Sequence, residues 1–452
     1  MPESNEKNTL SAVARLHELI EDGTYLQIQS LMNILKPVDV AHLLASSPSV
    51  QRTIIWNLFD EELQSEIISH VDEEIISDLL GDKSAEEIVH VLENVEADDD
   101  LTDILQHLPD ALTQQVLRSM DDTDRTRVEN LLSYPEDTAG GLMATDIVSV
   151  RARVTIDVVL RYLRRYTELP PITDNIFVVN AKEEFIGLLP VTTLLVSDPA
   201  MTVREAMTED IEPIPALLPE NEVAELFKRY DLVSAPVTDT QGKLIGRITI
   251  DDVVDVIIDE ADHSILGMAG LTEDDDAFAP IFKTARNRAF WLGTNLVTAF
   301  IASAVINIFQ DTIAKVVALA VLMPIVASMG GVAGTQTLIL VIRKMTHGNL
   351  LERNQRWLLN RELAVGGLNS IFWALVVAIV ASVVFQDFLL GGILAVALAI
   401  NLIVAALAGA LLPGILKSLN IDPAIAGAVV LTTITDVVGF MSFLGLASMF
   451  YA

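Results

Sequence analysis

Apolar and polar positions follow three rhythms along this chain of 452 residues. From about residue 9 to residue 134, apolar side chains recur at i, i+3 and i+4 in short bursts. Among them are Leu10–Ile20, Val38–Ala45, Ile54–Leu58, Glu62–His70, Ala85–Leu92, Leu101–Leu108 and Ala111–Met120. Acidic or proline-containing breaks separate the bursts, so each predicts a short amphipathic helix. Helices of this kind stacked in series predict an α-superhelix over residues 1–137, a quasi-repeat without a strict period. After Gly140 strand-like runs enter. Gly141–Val150, a helical stretch at Ile156–Tyr166, Ile176–Val179 and Phe185–Leu189 form one unit. Arg204–Thr208, Glu220–Tyr230, Ser234–Val237 and Leu244–Thr249 form a second. The dipeptides Ile186-Gly187 and Ile245-Gly246, 59 residues apart, mark the same place in each. From about residue 289 hydrophobicity becomes continuous, in five runs at about 289–309, 314–342, 362–386, 388–416 and 424–450. Each is long enough to cross the ~30 Å hydrocarbon core of a bilayer as a helix. Pro324 and Pro413 predict kinks in the second and fourth.

Charge sharpens this division. Of the 62 acidic residues 56 precede Arg288, against 21 of the 29 basic ones. So many carboxylates cannot be placed in hydrocarbon, which makes the first part soluble and the remainder the membrane domain. A field this negative repels nucleic acid and attracts cations; the alternative is a solvated acidic surface that serves solubility. The opening MPESNEKNTL has no apolar stretch of a cleaved signal, so the acidic part is expected in the cytoplasm. Arg343, Lys344, Arg353, Arg356 and Arg361 form the strongest basic cluster of the second part, between runs two and three. The positive-inside rule assigns that loop to the cytoplasm, and five spans then leave the C-terminus outside. The expected location is a bacterial inner membrane. The absence of cysteine fits a reducing compartment.

Near the centre of the last apolar run stands one acid, Asp436. A carboxylate there costs at least about 2.5–3.5 kcal/mol on insertion scales and calls for a cation, a proton or a wet path. Thr432 at i−4 and Gly439 at i+3 extend its face as a narrow polar and small stripe, which suits a pore lining. The alternative is a protonated Asp436 in a helix-packing contact. Gly330, Gly331 and Gly334 weaken the second run in mid-membrane, and Gln336 adds an amide. Bare carbonyls at that depth are expected to line a wet cavity. Mg²⁺ is the ion that suits one or two carboxylates plus retained water. With no Cys and seven scattered His, softer metals have no ligand cluster, and His347 is expected to be a solvated loop residue. One intramembrane Asp per chain suggests a homodimer that offers two carboxylates to one ion on a two-fold axis.

The duplicated β-α-β-β-α unit resembles a CBS-domain pair, each member a three-stranded sheet with two helices, over residues 138–200 and 201–262. In the second copy Asp252 and Asp255 lie i, i+3 on one helix face, continued by Asp259. Like charges at this spacing destabilise a helix until something neutralises them. Asp98-Asp99-Asp100 with Asp103 forms a second acidic cluster. Faces that repel at low cation concentration and clamp on bound Mg²⁺ would be a metal-driven switch; the alternative is again an ordinary acidic surface. Gly246-x-x-Thr249-x-x-Asp252 also resembles the segment with which many CBS domains hold the ribose of an adenosine nucleotide, so ATP is a candidate ligand. The first copy, with Gly187, Pro190 and Thr193, lacks that pattern.

Taken whole, the chain resembles the MgtE family of magnesium channels. The resemblance is carried by Tyr134-Pro-Glu-Asp-Thr-Ala-Gly-Gly-Leu-Met143, by the glycine segment at 330–336 and by Asp422-Pro423 with Thr435-Asp436. It implies a multidomain membrane protein: an all-α superhelical N domain, an α/β CBS-domain pair, a connecting (plug) helix at 263–287 and a five-helix α transmembrane domain at 288–452. It further implies Asp436 as the pore carboxylate and Asp422 as an acid at the cytoplasmic pore mouth. Asp231, Asp252, Asp255 and Glu260 match positions for regulatory Mg²⁺, and Glu66, Asp99 and Asp103 match acids between the N domain and the CBS pair. The family's run Gly-Gly-Asn-x-Gly-Asn-Gln reads here Gly-Gly-Val332-Ala-Gly-Thr335-Gln, so Co²⁺ or Ni²⁺ can compete. The expected function is Mg²⁺ influx down the electrochemical gradient, closed by Mg²⁺ on the cytoplasmic domains. The alternatives are proton-coupled or broader divalent transport, and a membrane-anchored metal or nucleotide sensor. No nucleophile–base pair, Walker loop or catalytic metal motif points to an enzyme.

Overall fold

The computed structural model describes residues 35–81, 83–92, 95, 98–167, 169–271, 278, 281–346 and 352–451. The stretch predicted as a helix at Leu10–Ile20 and the loop residue His347 lie outside the described residues. The chain divides into two compact units, Met1–Glu260 with Asp276–Pro280, and Ala261–Asp275 with Ile281–Ala452.

In the first unit, eight short helices stand in series among the described residues. They are α1 (Pro37–Ala45), α2 (Ser49–Trp56), α3 (Glu61–Ile68), α4 (Glu73–Leu80), α5 (Ala85–Leu92), α6 (Asp98–Gln106), α7 (Asp110–Ser119) and α8 (Asp122–Leu131). Their starts are written locally. Pro37 opens α1, where a missing N–H is not needed, and the Asp60 carboxylate accepts from the Leu63 N–H at 3.1 Å to cap α3. Helices of two to three turns cannot bury an apolar stripe alone. They do so by stacking next-but-one: α1 on α3, α3 on α5 and α5 on α7 in one row, α2 on α4, α4 on α6 and α6 on α8 in the other. Between the rows lies a core holding Trp56, Ile67, Leu80 and Leu105. This is the expected superhelix.

Two three-stranded sheets follow. In the first, β1 (Ser149–Arg151) runs parallel to β2 (Asn175–Val179), which pairs antiparallel with β3 (Phe185–Pro190). In the second, β4 (Ile214–Pro215), β5 (Ser234–Thr238) and β6 (Leu244–Thr249) repeat that order. The duplication extends to register: Val178 faces Gly187 and Val237 faces Gly246, and each sheet carries a β-bulge after that valine. The accompanying helices are α9 (Ile156–Leu163), α10 (Val191–Val196), α11 (Val203–Ala206), α12 (Glu220–Tyr230) and α13 (Ile250–Met268). Arg247 of β6, 5% exposed, is held by both Asp146 carboxylate oxygens at 2.9 and 3.0 Å and by the Pro171 carbonyl at 2.9 Å.

The stretch expected as a connecting helix, 263–287, opens inside α13 and ends, among the described residues, inside the first apolar helix, Ile281–Ile308. The described residues carry α13 through position 262 to Met268, because no breaker interrupts it. It stops at Gly270, φ +72°, where the Leu271 N–H reaches back to the Leu266 carbonyl at 3.0 Å. That closure needs a left-handed residue, which glycine supplies without strain.

The second unit holds the five apolar helices. They are α14 (Ile281–Ile308), α16 (Ala318–Thr346), α17 (Glu352–Phe385), α18 (Phe388–Ser418) and α19 (Pro423–Tyr451), with the short α15 (Gln310–Lys315) between the first two. Each of the five is long and apolar enough to cross a membrane. The fourth is the hub: half of its most apolar window is buried, against 11% for the first and third, and it packs on α16, α17 and α19. Apolar residues on α14 and α17, such as Phe300 and Ile371, are exposed on this chain. Pro324 and Pro413 lie inside unbroken helices.

Candidate functional site

Asp436 is the fourteenth of the 29 residues of α19, halfway along the span. It is half-buried, and Thr432 one turn earlier is exposed. The Thr432 hydroxyl turns back to the Ala428 carbonyl at 2.8 Å, which leaves its oxygen lone pair on the helix surface. Facing these two residues, α16 contributes Ser328, Gly331, Thr335 and Gln336, with Val332 and Ile339 as apolar wall. Together they line an open groove of about 500 Å³. Its polar groups are hydroxyls, an amide and one carboxylate: hard oxygen chemistry that suits a hydrated divalent cation.

The glycine segment is sorted by helix face, and here the expectation is corrected. The helix α16 is continuous through 330–336, so its carbonyls stay in the α-helical ladder and are not bared. Gly331 lines the groove, and a Cβ there would meet nothing within 4 Å. Gly330 and Gly334 are buried on the other side of the helix. A Cβ on Gly330 would stand 2.2 Å from Asn401 Nδ2, and one on Gly334 would stand 2.9 Å from Leu431 Cδ1. These two are packing glycines that let α18 and α19 approach. Gly439 divides from the Thr432–Asp436 stripe for the same reason: its Cβ would meet Asn401 Nδ2 at 2.8 Å. Asn401 itself, fully buried, donates to the Val326 carbonyl at 2.8 Å.

Asp422 stands just before α19 and accepts from the Ala424 N–H at 2.6 Å. Its other oxygen lies 2.5 Å from Nε2 of His263, near the end of α13. One helical turn on, Gly267 sits where a Cβ would come within 3.3 Å of Ala424 and 3.2 Å of Ile425. His263 is absent from the sequence-derived set, because nothing local marks a histidine 159 residues away as Asp422's partner. Glu362 is absent as well. It lies at the edge of an apolar run in sequence, yet it is only 6% exposed.

In the first unit the acidic faces do meet, through residues partly different from those expected. Asp100, on α6, lies within electrostatic range of Asp251 and Asp255 at the start of α13. Its carboxyl is raised from the usual range, chiefly by burial and further by those two charges, while the Ser69 hydroxyl and His70 oppose the shift. Asp252 is pushed up to about 7, first by burial, then by Asp251, with Asp100 adding to it. Asp103 is half-buried on the same helix as Asp100, and Glu66 is exposed on α3; the Asp99 side chain lies outside the described residues. Asp231 is exposed and closes α12 with φ 52°, a left-handed cap position. Asp255 is exposed and Glu260 half-buried along α13. Among the described residues no three of His, Cys, Asp or Glu stand close enough together to form a ready-made metal cage. The Gly246–Thr249–Asp252 segment is engaged with itself. The Thr249 hydroxyl donates to Asp252 at 3.0 Å, and Met143 fills the space where a Cβ on Gly246 would go, its Sδ 2.6 Å away.

Comparison with known proteins agrees with this architecture. Residues 323–446 match the family MgtE, described as divalent cation transporter. Residues 35–137 match the MgtE intracellular N domain and residues 203–259 the CBS domain. The magnesium transporter MgtE of Bacillus subtilis (strain 168) is 28% identical over 441 residues, 97% of each chain. That of Thermus thermophilus is 30% identical over 438 residues, 96% of this chain and 97% of the relative. A crystal structure of the cytosolic domain of the Mg²⁺ channel MgtE in complex with ATP is 32% identical, with TM-score 0.48, covering 54% of this chain and 99% of that one. The chain, with its stacked N-terminal helices, paired three-stranded sheets and five apolar spans, belongs to the MgtE family of divalent cation transporters.

Proposed function

We propose that the protein conducts Mg²⁺ across the bacterial inner membrane, inward and down the electrochemical gradient, and that two copies join their grooves on a two-fold axis so that paired Asp436 carboxylates face one hydrated ion. The observation that carries this is Asp436, half-buried at mid-span on an open groove whose few polar groups are hydroxyls, one amide and this carboxylate. A carboxylate held there by protein packing alone would be buried against a neighbour; this one faces a space wide enough for an ion with its water. The relatives named magnesium transporter MgtE support the choice of ion.

The acidic cytosolic faces are the proposed sensor. Asp100 and Asp252, both shifted upward by burial and by neighbouring carboxylates, are groups that a divalent cation would stabilise in the charged state. Asp231, Asp255, Glu260, Glu66, Asp99 and Asp103 are further candidate ligands. Bound Mg²⁺ would draw α6 and α13 together and close the pathway, with Asp422 at its cytoplasmic mouth. A nucleotide ribose at Gly246, Thr249 and Asp252 would have to displace the Thr249 hydroxyl from Asp252. ATP binding therefore predicts competition with the cation.

The test is rescue of a cell that lacks Mg²⁺ uptake. Wild type restores growth and Asp436→Ala does not. Asp252→Ala restores growth but admits toxic excess at high external Mg²⁺. Equal rescue by all three removes the case for both sites. A second reading, broader divalent selection, is favoured by the position of Val332 and Thr335: both line the groove, so the two amides missing from the family's run are missing from the face that meets the ion.

A further inference from the structure

Glu362 is a second carboxylate inside the membrane domain. It is the seventh residue of the span Arg356–Phe385 and only 6% exposed. Burying a charge at that level is costly, and such residues persist where they do something beyond packing. Arg361 reaches one carboxylate oxygen at 2.7 Å, but the Arg361 side chain is 47% exposed, so this partner is only partly held by the protein. The Thr337 hydroxyl approaches the other oxygen at a long 3.4 Å. A carboxylate accepts about four hydrogen bonds, and among the described residues these two donors leave capacity unfilled. The carboxylate borders a pocket of about 210 Å³ between α16, α17 and α18, whose remaining polar groups are the amides of Gln336 and Asn369. That volume takes several waters at about 30 Å³ each. The same Gln336 also lines the groove that holds Asp436.

Resting on the transport reading above, we propose that this pocket is a second, off-axis seat for the transported divalent cation, with Glu362 as its carboxylate and Gln336 as the amide shared by the two seats. The donor set is carboxylate, hydroxyl and two amide oxygens, hard ligands for an ion that keeps part of its water. Arg361 gives the pocket its resting state: it covers the carboxylate when the seat is empty and swings toward solvent when an ion replaces it. The buried charge is thus compensated in both states. The groove and the pocket lie on two sides of Gln336, so an ion exchanges water ligands around one side chain in passing between them.

The experiment is diffraction from the full chain crystallised with Mn²⁺ in place of Mg²⁺, with anomalous maps for wild type and Glu362→Gln, and Mg²⁺ flux of both in proteoliposomes. A hydrated ion places its peak roughly 4–5 Å from the carboxylate carbon, one metal–water and one charge-assisted hydrogen bond away. Wild type is expected to show one peak at Asp436 and a second beside Glu362. Glu362→Gln should keep the first, which certifies its fold, lose the second, and lower flux about tenfold, the value of one charge-assisted contact. A wild-type peak at Asp436 with none beside Glu362, or a second peak that survives Glu362→Gln, overturns the second seat and leaves the transport reading standing. Absence of both peaks overturns the two together.

Discussion

On the proposed ion path, Val332 and Thr335 stand at two places on the groove wall where an amide would hold a water of the ion. Both side chains line the groove on the same helix as Gly331 and Gln336. A branched alkyl group cannot orient water, and a hydroxyl does so with shorter reach than an amide. The pair Val332→Asn with Thr335→Asn is therefore expected to raise the ratio of Mg²⁺ to Co²⁺ uptake about tenfold, as counted by radiotracer flux, for a gain of one to two water-mediated bonds. An unchanged ratio would shift selection away from these residues. Asp252 makes a different residue-scale prediction. An acid raised on folding from its ordinary value to about 7 binds its proton more tightly in the folded state. The stability it lends is complete below about pH 4 and is lost as pH rises toward 7. Mg²⁺ at that site offsets the loss only where the carboxylate is ionised. The rise in melting temperature on adding Mg²⁺ to the full chain should be larger near about pH 8 than near about pH 5.5, and Asp252→Asn should flatten that difference. Equal Mg²⁺ shifts at the two pH values in wild type would contradict the sensor assignment.

At the scale of the element, α16 does two jobs with one glycine run, because neighbouring residues on a helix are turned about 100° apart. Gly330 and Gly334, four apart, share the packing face; Gly331 and Thr335, four apart, share the groove face. Gly330→Ala places a methyl carbon 2.2 Å from Asn401 Nδ2, an overpacking that costs about 1–3 kcal/mol. It should lower the thermal midpoint in detergent, with partial recovery in the Gly330→Ala, Asn401→Ala pair. Gly331→Ala meets open space and should melt like wild type while changing flux. If the two alanines behave alike, the division of faces is wrong. The helix α13 shows how an element can outrun its pattern. The acidic link at 259–262 reads as a boundary, but acidic residues do not end a helix when the apolar stripe continues beneath them. Gly270 ends it, by conformation rather than polarity.

At the scale of the whole molecule, the groove is open on one chain and its carboxylate is half-buried, so pairing of two copies is the arrangement expected to complete it. The chain has no cysteine, which makes the test clean. Ser328→Cys or Thr335→Cys should give a cross-linked dimer in membranes with a short bifunctional thiol reagent that spans a hydrated path, because both positions line the groove. A cysteine at Ile371, exposed on α17, should stay monomeric. Cross-linking at Ile371 in place of the groove positions would put the interface elsewhere. The first and third spans are little buried within the chain.

The sequence alone determined every feature that depends on neighbours along the chain. Short periodic bursts became stacked helices, the 59-residue repeat became two sheets with matching register, and five apolar runs became five spans. Asp436 was legible because a charge in an apolar run is costly wherever the helix packs. Tertiary structure decided what depends on which face meets which neighbour. It sent Gly330 to packing and Gly331 to the groove, brought Asp100 rather than a charge cluster at large to the start of α13, and paired His263 with Asp422. It also buried Glu362, which hydropathy leaves at the rim of its run. Local pattern carries the energy of solvent transfer for each segment; the partner that fills a space or shares a charge lies tens to hundreds of residues away, and only the folded packing selects it.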